Sequence, residues 1–167
     1  MPKEPKKLDE LFHDTLKDIY FAEKKILVAL PKMAKAAQSR DLAAAFEKHK
    51  KQTEGQVERL EKVFKIIEEK PQGKTCRAIL GLVEEGEEIV KEFEDSPALD
   101  AGLLGAAQAV EHYEISRYGT LKAWARELGL DDAASLLDET LEEEKDTDAT
   151  LTEMAESVIN QKAEAAE

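Results

Sequence analysis

Glu23, His49, Glu111, Glu114, Glu144 and Asp148 stand where helical runs of apolar residues call for another apolar side chain. One inward line reads Phe12, Leu16, Ile19, Glu23, Ile26 or Leu27, and Leu30, and another reads Leu104, Ala107, Glu111, Glu114, Tyr118 and Leu121. A third, Leu137, Leu141, Glu144, Asp148, Leu151 and Ala155, sets two carboxylates one turn apart among leucines. The remaining line, Ala45, His49, Gln52 with Thr53, Gln56, Leu60 and Val63, supplies one imidazole and neutral polar groups. Residues three or four apart share a helix face, so Glu111 pairs with Glu114 and Glu144 with Asp148.

An ionised group left unpaired in a core is costly, and one remedy for carboxylates converging from several helices is a divalent cation. Two such cations close together repel, and bridging or terminal carboxylates neutralise them, while oxygen and imidazole donors suit Fe, Mn or Zn. The candidate ligand set is therefore Glu23, His49, Gln52, Glu111, Glu114, Glu144 and Asp148 around two metal ions, Fe first, with Mn or Zn as alternatives. No organic cofactor is expected: the chain has no glycine-rich phosphate loop, no nucleophile elbow and no zinc-finger spacing.

The competing explanation is chance. With 37 acidic residues, some carboxylates fall on an apolar stripe, and a small helix rotation carries them to water. His13 and His112 sit beside the inward lines and read as boundary residues; Tyr20, Tyr113, Tyr118 and Trp124 read as packing, with Tyr20 or Tyr118 placed to bond a metal-bound carboxylate. The runs Glu84-Glu85, Glu87-Glu88 and Glu142-Glu143 read as solvated faces, and Cys76, with no cationic neighbour or partner motif, as a buried structural thiol.

Four long helices must carry these lines. The apolar period predicts the first over 8–38, kinked at Pro31, and the second over 41–70, capped within Ser39 to Asp41 and stopped before Pro71-Gln72-Gly73. A shorter helix is predicted over 74–94. Ser96-Pro97 opens the third long helix, 97–128, which Gly129 ends, and Asp131 and Asp132 cap the fourth, 132–162. The basic N-terminal end and the Ala/Glu-rich C-terminal end should fray.

Two antiparallel pairs separated by a long crossover are the topology of an all-α, ferritin-like four-helix bundle, in a single domain spanning 1–167. A shift of 91 residues lays Glu23 on Glu114, Leu30 on Leu121, Asp41 on Asp132 and Leu60 on Leu151, the trace of a duplication or of shared helical patterning. The Glu-x-x-His pair that two helices of di-iron bundles carry is absent from the second and fourth helices.

A net charge of −13 repels phosphate backbones and anionic lipid, which argues against nucleic acid and membrane as partners. No stretch approaches the roughly 20 apolar residues of a membrane span, and a lone cysteine suits a reducing cytoplasm.

The segments Asp18 to Lys25, Phe46 to His49 with Gln56 to Leu60, Ala107 to Ile115 with Tyr118 to Leu121, and Thr140 to Asp148 resemble the YciF/YciE family of bacterial stress-associated proteins, in order and spacing over nearly the whole chain. Glu111-His-Tyr-Glu-Ile115 and Thr140-Leu-Glu-Glu-Glu-Lys-Asp-Thr-Asp148 are the most specific parts. The resemblance implies a ferritin-like, dimeric, cytoplasmic protein related in fold to rubrerythrin and bacterioferritin. It carries Glu23, His49, Glu111, Glu114, Glu144 and Asp148 over as the polar core, whereas Gln52 departs from relatives with Glu there and withholds a charge. Two functions stay open: a redox centre that oxidises Fe(II) or consumes O2 or peroxide, and a non-enzymatic stress or interaction protein whose metal is weakly bound or structural. A storage shell is the weaker third, because nothing in the sequence marks the extra symmetry contacts a cage requires.

Overall fold

The computed structural model describes residues 4–165, and among them there is no strand. Helix α1 runs Leu8–Ala36, α2 Arg40–Ile66, α3 Arg77–Glu92, α4 Leu99–Glu127 and α5 Asp131–Met154, followed by a π-helical turn, Ala155–Ile159, and a short α6, Asn160–Ala165. α1 packs on α2 and α4 on α5 as the two closest pairs; α2 also meets α5, and α1 meets α4. The four long helices thus close a ring in the order α1, α2, α5, α4. This is a ferritin-like bundle, and α3 is the crossover, resting on α1 and α4.

Local chemistry sets the ends of these elements. Ser39 precedes α2 in extended conformation and its Oγ accepts from Leu42 N at 3.3 Å. Asp100, buried at the start of α4, accepts from Gln38 N at 2.8 Å and Ser39 N at 2.7 Å, so one carboxylate ties the α1–α2 corner to the opposite pair. α4 starts two residues later than Ser96-Pro97 predicts: Ser96 Oγ instead accepts from Ala98 N at 3.1 Å and closes a separate turn before the helix. Gly129 reverses the chain at φ +71, and Leu130 N reaches back to Ala125 O at 2.8 Å. α2 stops at Ile66, short of 70, because Glu68 turns the chain at φ +57.

α1 continues through Pro31, where the missing N–H and ring are accommodated inside the helix. The last helix, expected unbroken over 132–162, widens after Met154 into the π turn, which keeps both Ala155 and Ile159 against the core.

The interior is built from Phe12, Leu16, Phe46, Phe64, Leu103, Leu121 and Leu137, all essentially without solvent contact. Each such side chain contributes on the order of 1.5–3 kcal/mol of transfer free energy. Where α3 meets α4 the backbones approach closely: a Cβ placed on Gly102 would lie 2.6 Å from Ile89 Cγ2. Cys76 Sγ caps α3, accepting from Ile79 N at 3.4 Å, and lies 3.0 Å from Tyr113 OH, which donates to Asp18 Oδ2 at 2.7 Å. That link fixes the start of α3 to α1 and α4. No helix among the described residues is long and apolar enough to cross a membrane.

Candidate metal centre

Five titratable side chains from four helices meet at mid-height of the bundle, and all are buried: Glu23 from α1, His49 from α2, Glu111 and Glu114 from α4, and Glu144 from α5. His49, Glu111, Glu114 and Glu144 each offer a donor atom within 4.8 Å of those of the other three. His49 Nε2 lies 2.9 Å from Glu111 Oε1 and 3.8 Å from Glu144 Oε2. Neither contact has hydrogen-bond alignment, since His49 Nε2 and Nδ1 both lack a partner. Glu23 completes the group from the α1 side, and its Oε1 accepts from the buried Tyr118 OH.

Burial is the main force on these carboxyls, and their mutual repulsion adds to it. Burial and then the Glu144 charge push Glu23 up to about 8, against the hydrogen bond from Tyr118. Burial, with the Glu23 and Asp148 charges behind it, lifts Glu111 to about 7. Glu114 is driven well above the carboxylate range by burial and by the charges of Glu144, Glu23 and Glu111, and Glu144 by burial and Glu111. At neutral pH the group must hold protons or a cation.

The unpartnered atoms decide what fits. Both oxygens of Glu114, Glu23 Oε2, Glu111 Oε2, Glu144 Oε2 and both nitrogens of His49 are buried with no hydrogen-bond partner. Protons alone would leave most of these acceptors unsatisfied, at a cost of about 1–3 kcal/mol each. His49, Glu111, Glu114 and Glu144, with donor atoms within 4.8 Å of one another, are the residues that would hold an ion. A hard or borderline divalent cation fits this oxygen-rich donor set.

Two of the residues expected from sequence stand elsewhere. Asp148 faces the bundle surface, where its Oδ2 is 3.0 Å from His112 Nε2 and its Oδ1 accepts from Gln108 Nε2 at 3.1 Å. Gln52 is half-buried at the rim, with Thr147 Oγ1 3.5 Å from its Oε1. The structure brings in Gln56 instead, whose Nε2 donates to Glu144 Oε1 and, at 3.0 Å, to Glu143 Oε2. Its place was on the inward line: the buried positions of α2 run 49, 53, 56, 60 and 63, which passes by 52. Thr53 faces inward too, but its Oγ1 is spent on His49 O at 2.9 Å.

Around the group lies a supporting layer. Arg59 binds Glu143 through two nitrogens, at 2.9 and 2.5 Å, and reaches Thr140 Oγ1 at 3.1 Å. Partial burial opposes ionisation of Glu143, yet the bonds from Arg59 and Gln56 hold it below its ordinary value. Glu143, expected to be a solvated residue, is thus the ionised acceptor that orients Gln56. Two cavities touch the centre, both at His49 and Glu111: an apolar one of about 310 Å³ under α3, and one of mixed lining, about 100 Å³, between α2 and α5 that Gln52 and Asp146 border.

The chain is similar to known proteins over nearly its whole length. Residues 7–164 match the model of a family described as a domain of unknown function, DUF892. Protein YciF of Escherichia coli strain K12 is 44% identical over 160 residues, 95% of this chain and 96% of that protein. The crystal structure of the E. coli stress protein YciF superposes with a TM-score of 0.89 at 43% identity, covering 94% of this chain and 99% of that one. YcfI of Rhodopseudomonas palustris matches with a TM-score of 0.87 at 45% identity over 91% and 97% of the two chains. A protein from Xanthomonas campestris shares the fold at 21% identity, with a TM-score of 0.73 over 94% of this chain and 96% of that one.

Proposed function

The chain belongs to the DUF892 family, and from that premise we propose that it is a cytoplasmic, homodimeric bacterial stress protein whose bundle core holds a dinuclear divalent metal centre oxidising Fe(II) with O2 or peroxide. The observation that carries this reading is Glu114, a carboxylate in the middle of the bundle with both oxygens buried and neither hydrogen-bonded. His49, Glu111, Glu114 and Glu144 would hold one ion, and Glu23 would bring the carboxylate for a second. Two Fe are the first choice, with Mn or Zn as alternatives. A bound metal pair supplies redox equivalents and a place for the oxidant.

The protein's own residues do the rest. Tyr118 fixes the orientation of Glu23, and Gln56 that of Glu144, so that the free oxygens face one another. The leucines and phenylalanines above and below exclude water, which strengthens every charge interaction inside. With Fe(II) as substrate the balance is two Fe(II) losing one electron each while one hydrogen peroxide takes up two electrons and two protons to become two waters.

The smaller cavity between α2 and α5, bordered by Lys48, Gln52, Asp146 and Thr147, reaches His49 and Glu111. Elemental analysis of protein purified without chelator, followed by Fe(II) oxidation by wild type and Glu114→Ala, tests the reading. Bound metal and turnover lost in the variant support it; wild-type protein that neither retains nor takes up metal, and shows no turnover, ends it.

One observation favours a second function, that of a non-enzymatic stress or interaction protein with a structural metal. Neither α2 nor α5 carries the Glu-x-x-His pair of di-iron bundles, and the buried polar residues of α2 are His49, Thr53 and Gln56, which reduces both charge and nitrogen ligands. Stoichiometric metal binding without turnover would select it.

A further inference from the structure

The larger of the two cavities is not explained by metal binding. Ala29 and Met33 of α1, Val83 and Val90 of α3, and Ala106 and Val110 of α4 form its walls. Its inner end is polar, closed by His49 and Glu111. Its mouth carries two lysines, Lys32 and Lys91, and two glutamates, Glu87 and Glu94, with Lys32 Nζ 3.6 Å from Glu87 Oε1. The rim is therefore balanced in charge, and the walls offer nothing to a charged or heavily hydroxylated molecule.

The volume sets the size of the occupant. At about 310 Å³ the cavity reaches the lower end of the range of small-molecule sites and is about twice the roughly 150 Å³ that admits benzene when lined by apolar side chains. Gly86 keeps it open on the α3 side: a Cβ there would sit 3.8 Å from Ala106 Cβ, an ordinary contact, so glycine is not required by packing. The space is available to a ligand and is easily filled by a larger residue.

We propose that this cavity binds a neutral, apolar small molecule of roughly ten heavy atoms, an arene or a short alkyl chain, with its inner end against His49 and Glu111. It enters between α1 and α3 and buries itself against aliphatic walls, which gain by the loss of water contact. Binding follows from the shape of the cavity alone. Its placement beside a bound metal rests on the metal function proposed above.

The probe is 4-fluorotoluene, followed by fluorine NMR on the full chain in chelator, then with Mn(II), with Zn(II) as the diamagnetic control. Expected are saturable binding in chelator and a binding constant weakened by about tenfold or more in Gly86→Leu and in Ala29→Leu. Helix content and melting should stay as in wild type. Two opposite walls are altered, so a folding defect in one variant leaves the other to decide. With Mn(II) bound, as seen by electron paramagnetic resonance, relaxation of the bound fluorine should rise sharply over the Zn(II) sample.

Absence of saturable binding to wild type, or wild-type affinity in a folded filled variant, overturns the site. Mn(II) bound without enhanced relaxation overturns its placement against the centre. Protein that takes up no Mn(II) yet binds the probe, with binding lost in the filled variants, supports the cavity and removes the metal function instead.

Discussion

Raising the pH should destabilise the metal-free protein, because its core carboxyls hold protons that the unfolded chain has already released. Glu23 sits at about 8 and Glu111 at about 7 when folded, against 4.5 when free, and Glu114 and Glu144 are displaced in the same direction. The folded state thus binds more protons than the unfolded one between these limits, and stability falls as pH rises. The contribution is fully present below about 4.5 and is lost on passing 7 to 8.

Each tenfold change in proton affinity is worth about 1.4 kcal/mol, so a single carboxyl such as Glu23 accounts for on the order of 5 kcal/mol across that window. The four carboxyls are not additive, since each proton taken up relieves its neighbours. A chain of this size shifts its Tm by about 2–4 °C per kcal/mol, which places the expected fall between pH 5 and pH 8.5 at roughly 10–20 °C. The assay is thermal and urea unfolding of chelated protein across the range.

Glu114→Gln, which removes one proton-binding group at nearly constant shape, should flatten the dependence and raise Tm at pH 8, whereas Glu84→Gln, on the exposed face of α3, should leave the slope unchanged. Metal reverses the sign, because its ligands must be deprotonated and its affinity grows with pH. A Tm of chelated wild type that is level or rising over the window, or a Glu114→Gln protein less stable than wild type at pH 8, refutes the reasoning.

Other substitutions read separate contacts. Gln56→Leu removes the donor shared by Glu144 and Glu143 and should weaken metal affinity by about 10- to 100-fold, measured by competition with a chromophoric chelator. Tyr118→Phe leaves Glu23 with no donor and should cost about 1–3 kcal/mol in urea unfolding of the chelated protein, more at pH 8.5 than at pH 5, because the hydroxyl favours the ionised carboxyl. Gly102→Ala forces a Cβ to within 2.6 Å of Ile89 Cγ2 and should destabilise by about 1–3 kcal/mol in urea unfolding, with a smaller effect in a chain that also carries Ile89→Ala, which removes Cγ2.

The bundle was legible because its period is a local property. Apolar residues at three- and four-residue steps mark the long helices, and Ser39 and Gly129 sit at their ends with the backbone geometry such residues favour. Where the chain departs from local rules, the reading slipped: the π turn at Ala155–Ile159 depends on keeping Ala155 and Ile159 both inward, which no propensity records. Within the candidate site, Glu23, Glu111, Glu114 and Glu144 stood out as charges amid leucine and isoleucine. Gln52 and Gln56 lie one turn apart on the same helix, and a rotation of a fraction of a turn decides which looks inward. Asp148 shares the stripe of Glu144 but is drawn to Gln108 and His112, partners 40 and 36 residues away. The Cys76, Tyr113 and Asp18 chain joins residues as much as 95 apart, and no spacing rule announces it.

The crossover helix has only Ile79 fully buried and rests on α1 and α4. With one side chain fully buried and Leu82, Val83, Ile89 and Val90 only partly covered, this segment should open at less free energy than the bundle needs to unfold, and its amides should exchange faster than those of α4. Substitutions along its inner face can then retune what the neighbouring hollow admits without disturbing the carboxylates, leaving natural variation free to change selectivity and strength separately.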